Sequence, residues 1–321
     1  MAGVIRTALT RRFDLATPVI GAPMAGVAGG ALAAAVSRAG GLGMIGVSGA
    51  HTADVVSEQC ALVGNAPFGV GLMIWVLESK PELFEATVAA APSLVSVSFG
   101  DPAPYVGPLH DAGIAVCAQV NTVADARRAL DAGVDVLVAQ GTEAGGHTGQ
   151  RSMLPLLQEV LALTDRPVIA AGGIATGRAM AAALVAGAAG VWIGTALLSC
   201  TEGLNKPAAR ARIRTATGDE TVLTRAFDVA EGIAWPSRWP GRALVNDFSR
   251  ERHGREEALV DDAVARQRVV EGRRGGDPAN APLYAGEAVG LVTTERSATD
   301  VVRELTADAE KALRAMPKLL G

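Results

Sequence analysis

Aromatic residues are scarce in this chain: six Phe, four Trp and two Tyr make up only 4% of its 321 residues. Glycine is plentiful instead, with 38 residues, and hydrophobic residues reach 49%. Small and aliphatic side chains suit tight turns around a packed parallel sheet better than the core of an aromatic-rich sandwich. The composition therefore favours an α/β protein with a sizeable core.

Cysteine and basic charge are also in short supply. Cys60, Cys117 and Cys200 are odd in number and far apart, which excludes a local disulfide framework or a paired-cysteine metal site. We therefore expect three free thiols and no bound metal. Asp and Glu outnumber Lys and Arg by 33 to 29, so the formal net charge is −4 and nucleic acid is not an expected partner.

The sequence has no long hydrophobic run either. Its longest apolar stretch, 179–194, is interrupted by Gly187 and Gly190 and is typical of a helix followed by a strand. Arg6, Arg11 and Arg12 lie near the N-terminus without the apolar segment of a signal peptide. These features predict a soluble cytoplasmic protein without a membrane partner.

What the chain does contain is a regular alternation of short aliphatic runs and helix-forming stretches. Eight runs have the length and composition of strands, and each precedes a stretch typical of a helix. The strands are predicted at 18–24, 41–47, 68–74, 94–100, 115–121, 134–141, 167–173 and 190–196. Eight such units predict an α/β fold of the (β/α)8 TIM barrel type rather than an open doubly wound sheet. Active sites in this barrel lie at the carboxyl ends of the strands.

The charge pattern changes after the last strand. Residues 206–274 hold 14 basic and 11 acidic side chains, 25 of the 62 charges in the chain. We divide the chain into a barrel at 1–204, a smaller, mainly helical second domain at 205–294, and a C-terminal helix at 295–321 that packs back on the barrel. Trp235 and Trp239, each followed by Pro, either pack the second domain onto the barrel or line the mouth of a pocket.

Two glycine-rich strand ends predict a phosphate site. Gly172 and Gly173 follow the seventh strand, and Gly194 and Thr195 follow the eighth. Backbone N–H groups of these two loops often hold a phosphate in TIM barrels, and glycine permits its close approach. The string GLGMIG at 41–46 has the spacing of a dinucleotide fingerprint, but it forms a strand rather than the turn that leaves one. No Rossmann-type site is therefore expected.

His147 is the candidate catalytic residue. It lies in the segment GTEAGGHTG at 141–149, in the loop after the sixth strand, where little local side-chain bulk is available to pack against it. The ordinary pKa of histidine, about 6.5, suits proton transfer at neutral pH. His51, His110 and His253 lie in helical or charged surroundings and are expected to be structural or surface residues.

Six segments that span nearly the whole chain carry a resemblance to a known family. They are GAPMAGVAGGALAAAVSRAGGLGMIG, GTEAGGHTG, PVIAAGGIATG, VWIGT, WPGRALVN and APLYAGEAVGL. Together they resemble the FMN-dependent nitronate monooxygenases, formerly called 2-nitropropane dioxygenases. The resemblance implies a (β/α)8 barrel with a second domain, FMN across the strand ends and His147 beside the flavin. It also implies oxidation of alkyl nitronates with O₂ to carbonyl compounds and nitrite, with nitroalkanes as an open second substrate.

The resemblance assigns cofactor contacts by position. These positions are Ala22, Pro23, Met24, Gly71, Gln119, Gln140, Ala144, Gly145, Gly172, Gly173, Gly194 and Thr195. The first three would lie against the isoalloxazine ring, the two glutamines would face the ring or the ribityl chain, and the last six would hold the ribityl phosphate. Gly71 stands where many members have Asn, and position 140 is often acidic, so ring or substrate contacts are expected to differ there.

Other functions remain open at this point. An FMN-dependent enoyl-acyl carrier protein reductase that uses NAD(P)H has a similar GGH loop, although the opening GAPM and the long charged C-terminal region count against it. The remaining alternatives are an NAD(P)H:quinone reductase and a flavin-binding sensor barrel without turnover. The expected partners are a small-molecule substrate and O₂, and homo-oligomerisation is left open.

Overall fold

The structure, a computed structural model, describes residues 5–316. Its strands are β1 (Val19–Gly21), β2 (Gly43–Gly46), β3 (Phe68–Met73), β4 (Leu94–Ser98), β5 (Ala115–Val120), β6 (Val136–Gln140), β7 (Gly146–His147), β8 (Val168–Ala171), β9 (Gly190–Ile193), β10 (Thr221–Thr224) and β11 (Gly241–Leu244). Eight of them pair in parallel in the order β1-β9-β8-β6-β5-β4-β3-β2. A bridge between Ile20 and Leu42 joins β1 to the start of β2 and closes the ring.

The predicted (β/α)8 barrel is confirmed, and each of the eight barrel strands lies inside its predicted range. The helices are α1 (Ala8–Phe13), α2 (Gly30–Arg38), α3 (Ala53–Ala61), α4 (Ile74–Leu77), α5 (Glu82–Ala89), α6 (Ala103–Asp111), α7 (Val123–Asp131), α8 (Met153–Leu161), α9 (Gly177–Val185), α10 (Pro207–Thr215), α11 (Ala226–Glu231), α12 (Asp247–Arg252), α13 (Ala263–Gly275) and α14 (Ala298–Ala315).

Threonine caps start several of the helices that follow barrel strands. The hydroxyls of Thr52, Thr122 and Thr176 accept hydrogen bonds from backbone N–H groups in the first turns of α3, α7 and α9. Such caps satisfy N–H groups that have no partner inside the helix. These caps fix the residue at which each helix begins. They therefore limit the movement of the loops at the carboxyl ends of the strands, where the candidate site lies.

The barrel strands are buried on both faces, as expected for a parallel sheet covered by helices. One core fills the barrel interior and includes Ile20, Met44, Val138, Ile169 and Trp192. A second, larger core lies between the strands and the surrounding helices. The interior is therefore packed with side chains, and ligands can reach the barrel only at its ends.

A small antiparallel sheet joins residues 205–294, the second region of the chain, to the barrel. This sheet was not predicted from the sequence. β10 pairs with β11, and β11 pairs with β7, which belongs to the loop after β6. The three strands are only two to four residues long and lack the aliphatic runs that identified the barrel strands. The expectation of a mainly helical second domain therefore omits the element that joins this region to the barrel loop containing His147.

The long C-terminal helix α14 packs against α9 and α2. Its buried residues Val302, Leu305 and Ala309 belong to the core between the barrel strands and helices. The predicted segments at 1–204 and 295–321 include residues 1–4 and 317–321, which lie outside the described residues. The domain boundaries themselves remain a prediction.

All three cysteines are buried free thiols. Burial raises the pKa of Cys60 to about 11 and that of Cys117 to about 12, so neither thiol forms the reactive thiolate at neutral pH. Within residues 5–316, no helix is both long and apolar enough to cross a membrane.

Candidate active site

Strand pairing determines where His147 lies. His147 is opposite Gly241 in the β7–β11 pair, and Gly146 is opposite Arg242. The Arg242 guanidinium donates from Nε to the carbonyl oxygen of Thr142 at 2.6 Å and forms an ion pair with Glu287 at 3.2 Å. The loop after β6 is thus held at its start by a side-chain contact and near its end by backbone pairing.

A buried carboxylate contacts the imidazole of His147. The Nε2 atom of His147 lies 3.0 Å from Oδ2 of Asp228 in α11, and their side chains are only 8% and 5% exposed. Tyr284 donates its hydroxyl to the other oxygen, Oδ1, at 3.2 Å. Burial, and then the charge of Asp228, raise the pKa of Tyr284 well above its ordinary value, so the phenol stays protonated and donates.

An aromatic cluster covers this pair, and it contains five of the twelve aromatic residues: Trp75, Phe99, Trp235, Trp239 and Tyr284. The ring of Trp235 stacks on the imidazole of His147, with centroids 3.5 Å apart and planes at 9°. Trp75 and Phe99 contact the same indole at 5.0 and 4.9 Å. The loop itself was expected to offer His147 little side-chain bulk, and the rings that pack on the imidazole come from distant segments of the chain.

Trp235 has the packing role that was one of the two alternatives for the Trp-Pro pairs. It packs the second region onto the barrel through Trp75 and Phe99, and it also lies against the candidate catalytic residue. Phe99 adopts a left-handed backbone conformation, with φ of 65°, directly after β4. Non-glycine residues rarely adopt this conformation, and such strain is concentrated at functional sites.

The two predicted glutamines contact each other beside His147. Nε2 of Gln119 donates to Oε1 of Gln140 at 2.7 Å and approaches the carbonyl oxygen of His147 at 3.5 Å. Asn121, which was not predicted from the sequence, donates to the same Oε1 at 3.1 Å. The oxygen of Gln140 thus accepts two hydrogen bonds, which orients the amide.

The predicted phosphate loops adjoin one another at the ends of β8 and β9. A Cβ built on Gly172 would lie 3.3 Å from the backbone nitrogen of Ala144. One built on Gly173, whose φ is +69°, would meet only the Cβ of Glu143, at 3.9 Å, so the space above this backbone is open. Thr195 is linked to the same loops through Gly286, whose N–H donates to its hydroxyl at 2.9 Å.

Gly145 is packed directly beneath the segment that contains Gly286. A Cβ on Gly145 would lie 2.5 Å from the backbone nitrogen of Gly286, so no larger residue fits there. The N–H of Glu287 donates to the carbonyl oxygen of Glu143 at 2.9 Å, next to this contact. The segment after Tyr284 therefore fastens the loop after β6 to the end of β9.

The segment after β1 lies across the neighbouring strand ends. A Cβ on Gly71 would lie 2.4 Å from the Cβ of Pro23, so an Asn side chain would fit there only if the segment after β1 moved. A Cβ on Gly194 would lie 3.3 Å from Sδ of Met24 and 3.4 Å from the Cβ of Ala22. The structure therefore brings all twelve predicted cofactor positions to one end of the barrel, whereas their individual roles remain predictions.

Asp228 and Tyr284 were not predicted from the sequence as site residues. Asp228 is 81 positions from His147 and lies in a short helix with no motif of its own. Tyr284 belongs to the APLYAGEAVGL segment, which contributed to the family resemblance without an assigned role. No local signal connects either residue with the loop after β6, and only the folded chain brings the three together.

The fold and this site together define an enzyme built on a (β/α)8 barrel. The nitronate monooxygenase family model matches residues 6–90 and 83–308. The chain therefore belongs to the nitronate monooxygenase family and is an oxidoreductase, as the sequence resemblance predicted.

Known proteins resemble the chain over nearly its whole length. A nitronate monooxygenase of Neurospora crassa is 31% identical over 345 residues, which cover 92% of this chain and 90% of that protein. FabK from Thermotoga maritima superposes with a TM-score of 0.86 at 29% identity, covering 98% and 99% of the two chains. Nitroalkane oxidase from Streptomyces ansochromogenes superposes with a TM-score of 0.81 at 31% identity, covering 97% and 100%.

Proposed function

We propose that this protein is an FMN-dependent oxidoreductase that oxidises alkyl nitronates with O₂ to carbonyl compounds and nitrite. The observation that carries the proposal is the loop 141–149. It holds His147 against Asp228 at one end, and near its middle Ala144 packs on the glycine turn after β8. The candidate proton-transferring group thus lies on the same short segment that contacts the proposed phosphate site at Gly172 and Gly173, and membership of the nitronate monooxygenase family supports the same activity.

The residues at the strand ends fit the phosphate end of FMN. The space above Gly173 is open, and its backbone N–H donates to no other group in the described part of the chain. The hydroxyl oxygen of Thr195 accepts from Gly286, so its own proton is available for an anion. Backbone and hydroxyl donors of this kind suit a phosphate monoester. When bound, FMN supplies the electron acceptor for substrate oxidation and passes the electrons to O₂.

His147 has two possible uses, which its protonation decides. As an imidazolium ion it binds the anionic oxygens of a nitronate, whereas as a neutral imidazole it takes the α-proton of a nitroalkane. The stacked ring of Trp235 covers one face of the imidazole and excludes water from it. Both uses therefore occur at the uncovered part of the ring.

The proposal is tested with the purified protein and its bound cofactor. We expect a yellow protein that releases FMN on heating, bleaches on anaerobic mixing with a nitronate, and forms nitrite and a carbonyl compound when O₂ is admitted. Release of FAD, or a protein that does not bind FMN, would contradict the cofactor. Bleaching by NADPH or NADH but not by nitronate would support a reductase, and bleaching by neither would support a sensor.

A further inference from the structure

The contacts around His147 form a line of three side chains from different parts of the chain. His147 comes from the barrel loop, Asp228 from α11, and Tyr284 from a segment that bridges to β11 at Ala243. We propose that Asp228 is the positioning residue of His147: its carboxylate holds the proton on Nε2 and leaves Nδ1 as the atom that takes a proton from the substrate. The substrate part of this inference rests on the proposed function.

Hydrogen-bond accounting assigns the proton on Nε2. A carboxylate that is almost fully buried must receive donors on its oxygens, because water cannot supply them. Tyr284 supplies the donor to Oδ1, and at Oδ2 the partner is Nε2 of His147. A carboxylate only accepts, so the ring nitrogen that faces it carries the hydrogen in both charge states of the imidazole.

The other ring nitrogen is left for chemistry. Within residues 5–316, no hydrogen bond involves Nδ1 of His147. The indole of Trp235, 3.5 Å away and nearly parallel, restrains rotation of the imidazole. In the proposed step the C–H bond of a nitroalkane breaks, the proton goes to Nδ1, and the electron pair stays on the carbon next to the nitro group.

Two oppositely charged side chains, Arg273 and Glu231, lie near the three contacting residues. Arg273 in α13 forms an ion pair with Glu231 at 2.6 Å, and both face the phenol of Tyr284. Tyr284 itself is neutral because burial raises its pKa. Arg273 also interacts electrostatically with Asp228, but the Asp228 carboxylate is the charged group in contact with the imidazole, and it can stabilise the imidazolium that forms when Nδ1 accepts a proton.

The test is nitrogen-15 NMR of the FMN-loaded protein labelled in its four histidines, with His147→Gln identifying the signal. At alkaline pH we expect His147 as the Nε2–H tautomer in the native protein and as a mixture of tautomers in Asp228→Ala. Turnover of a nitroalkane should fall on the order of 10²-fold in that variant, whereas oxidation of a preformed nitronate, which needs no base, should fall only a few-fold.

Two milder variants keep the test valid if Asp228→Ala does not fold. Asp228→Glu should retain the Nε2–H tautomer and recover part of the nitroalkane turnover, because it keeps a carboxylate. Tyr284→Phe should keep the tautomer and lose less turnover than Asp228→Ala. If Asp228→Glu loses the tautomer while Tyr284→Phe leaves everything unchanged, the proposed line of contacts is wrong.

A matched control is available at the opposite end of the barrel, where His110 contacts Asp135 at 2.8 Å. Asp135→Ala should change neither the His147 tautomer nor turnover. An unchanged tautomer and full turnover in Asp228→Ala would overturn the positioning role. A changed tautomer in a protein that oxidises neither nitro compound would instead refute the proposed function and leave the positioning role intact.

Discussion

Two histidine–aspartate pairs lie at opposite ends of the barrel, separated by β6. Asp135 precedes β6 and contacts His110 at 2.8 Å, with side chains 18% and 41% exposed. His147 follows β6 and contacts Asp228 at 3.0 Å, with side chains 8% and 5% exposed. The contact distances are alike, but water competes with the first pair and is excluded from the second. A histidine–aspartate contact therefore marks a candidate site only when burial and position at the strand ends accompany it.

The surroundings of the two pairs differ as much as their exposure. Arg12 joins the first pair through Asp135 at 2.6 Å, so the carboxylate there has a guanidinium and an imidazole as partners. The second carboxylate is met by the neutral phenol of Tyr284, and Trp235 stacks on its histidine. The first arrangement is an exposed ion pair with a histidine contact, whereas in the second a buried carboxylate contacts an imidazole that an indole covers on one face.

Replacing each histidine by alanine gives the largest expected contrast. His147→Ala should keep FMN and lose at least about 10²-fold in nitroalkane turnover, because the proton acceptor is removed. His110→Ala should retain normal turnover. The measurement is the steady-state turnover of each variant, divided by its FMN content. Near-normal turnover of His147→Ala would contradict a catalytic role of His147 and indicate a structural one.

A pair of glycines extends the comparison to cofactor binding. Gly173 and Gly113 both have positive φ, +69° and +74°, and a Cβ on either has no close neighbour. Alanine should strain each backbone alike, by about 1 kcal/mol. Only Gly173→Ala places a methyl group in the proposed phosphate cradle, so its FMN dissociation constant should rise at least about tenfold.

Fluorescence titration with FMN and thermal melting of the apoproteins measure both effects. The two glycine variants should lose similar stability as apoproteins. Equal FMN affinity in Gly173→Ala and Gly113→Ala would contradict a phosphate site at the end of β8.

Removing the stacked indole should have a smaller effect. Trp235→Ala deletes a ring contact worth about 0.5–1.5 kcal/mol, and we expect KM for the nitro substrate to rise several-fold with FMN retained. Trp239→Phe, which contacts Phe99 rather than the imidazole, serves as the control and should change KM little. A Trp235→Ala enzyme with unaltered KM and kcat would show that the indole only joins the two regions.

The smallest expected effect concerns acid stability at the exposed pair. Burial opposes ionisation of Asp135, but the N–H of Val116, His110 and Arg12 outweigh it, so the pKa of Asp135 lies below its ordinary value. The resulting stabilisation is complete above the unfolded pKa, about 3.9, and is lost as pH falls through the lower folded value. Asp135→Asn should therefore lower the melting temperature more at pH 6 than at pH 2, and an equal decrease at both would contradict the assignment.

The barrel was predictable because its signals are local. Each barrel strand is a short aliphatic run, and its burial on both faces needs no information from elsewhere in the chain. β10 and β11 were not predicted because Thr221, Thr224 and Arg242 interrupt their aliphatic residues. In addition, β7, which pairs with β11, is only two residues long. Such strands are stabilised by pairing with one another rather than by their own composition.

The sequence by itself determined the order of the β/α units, and with it the end of the barrel at which His147, Gly173 and Thr195 had to lie. Strand direction alone brings those residues together. Only the tertiary structure decided what surrounds the imidazole, because Asp228, Trp235 and Tyr284 reach it through long-range packing of the second region. Hydrogen bonds and ring stacking act over a few ångströms in space. The distance between two residues along the chain therefore does not indicate whether they form such a contact.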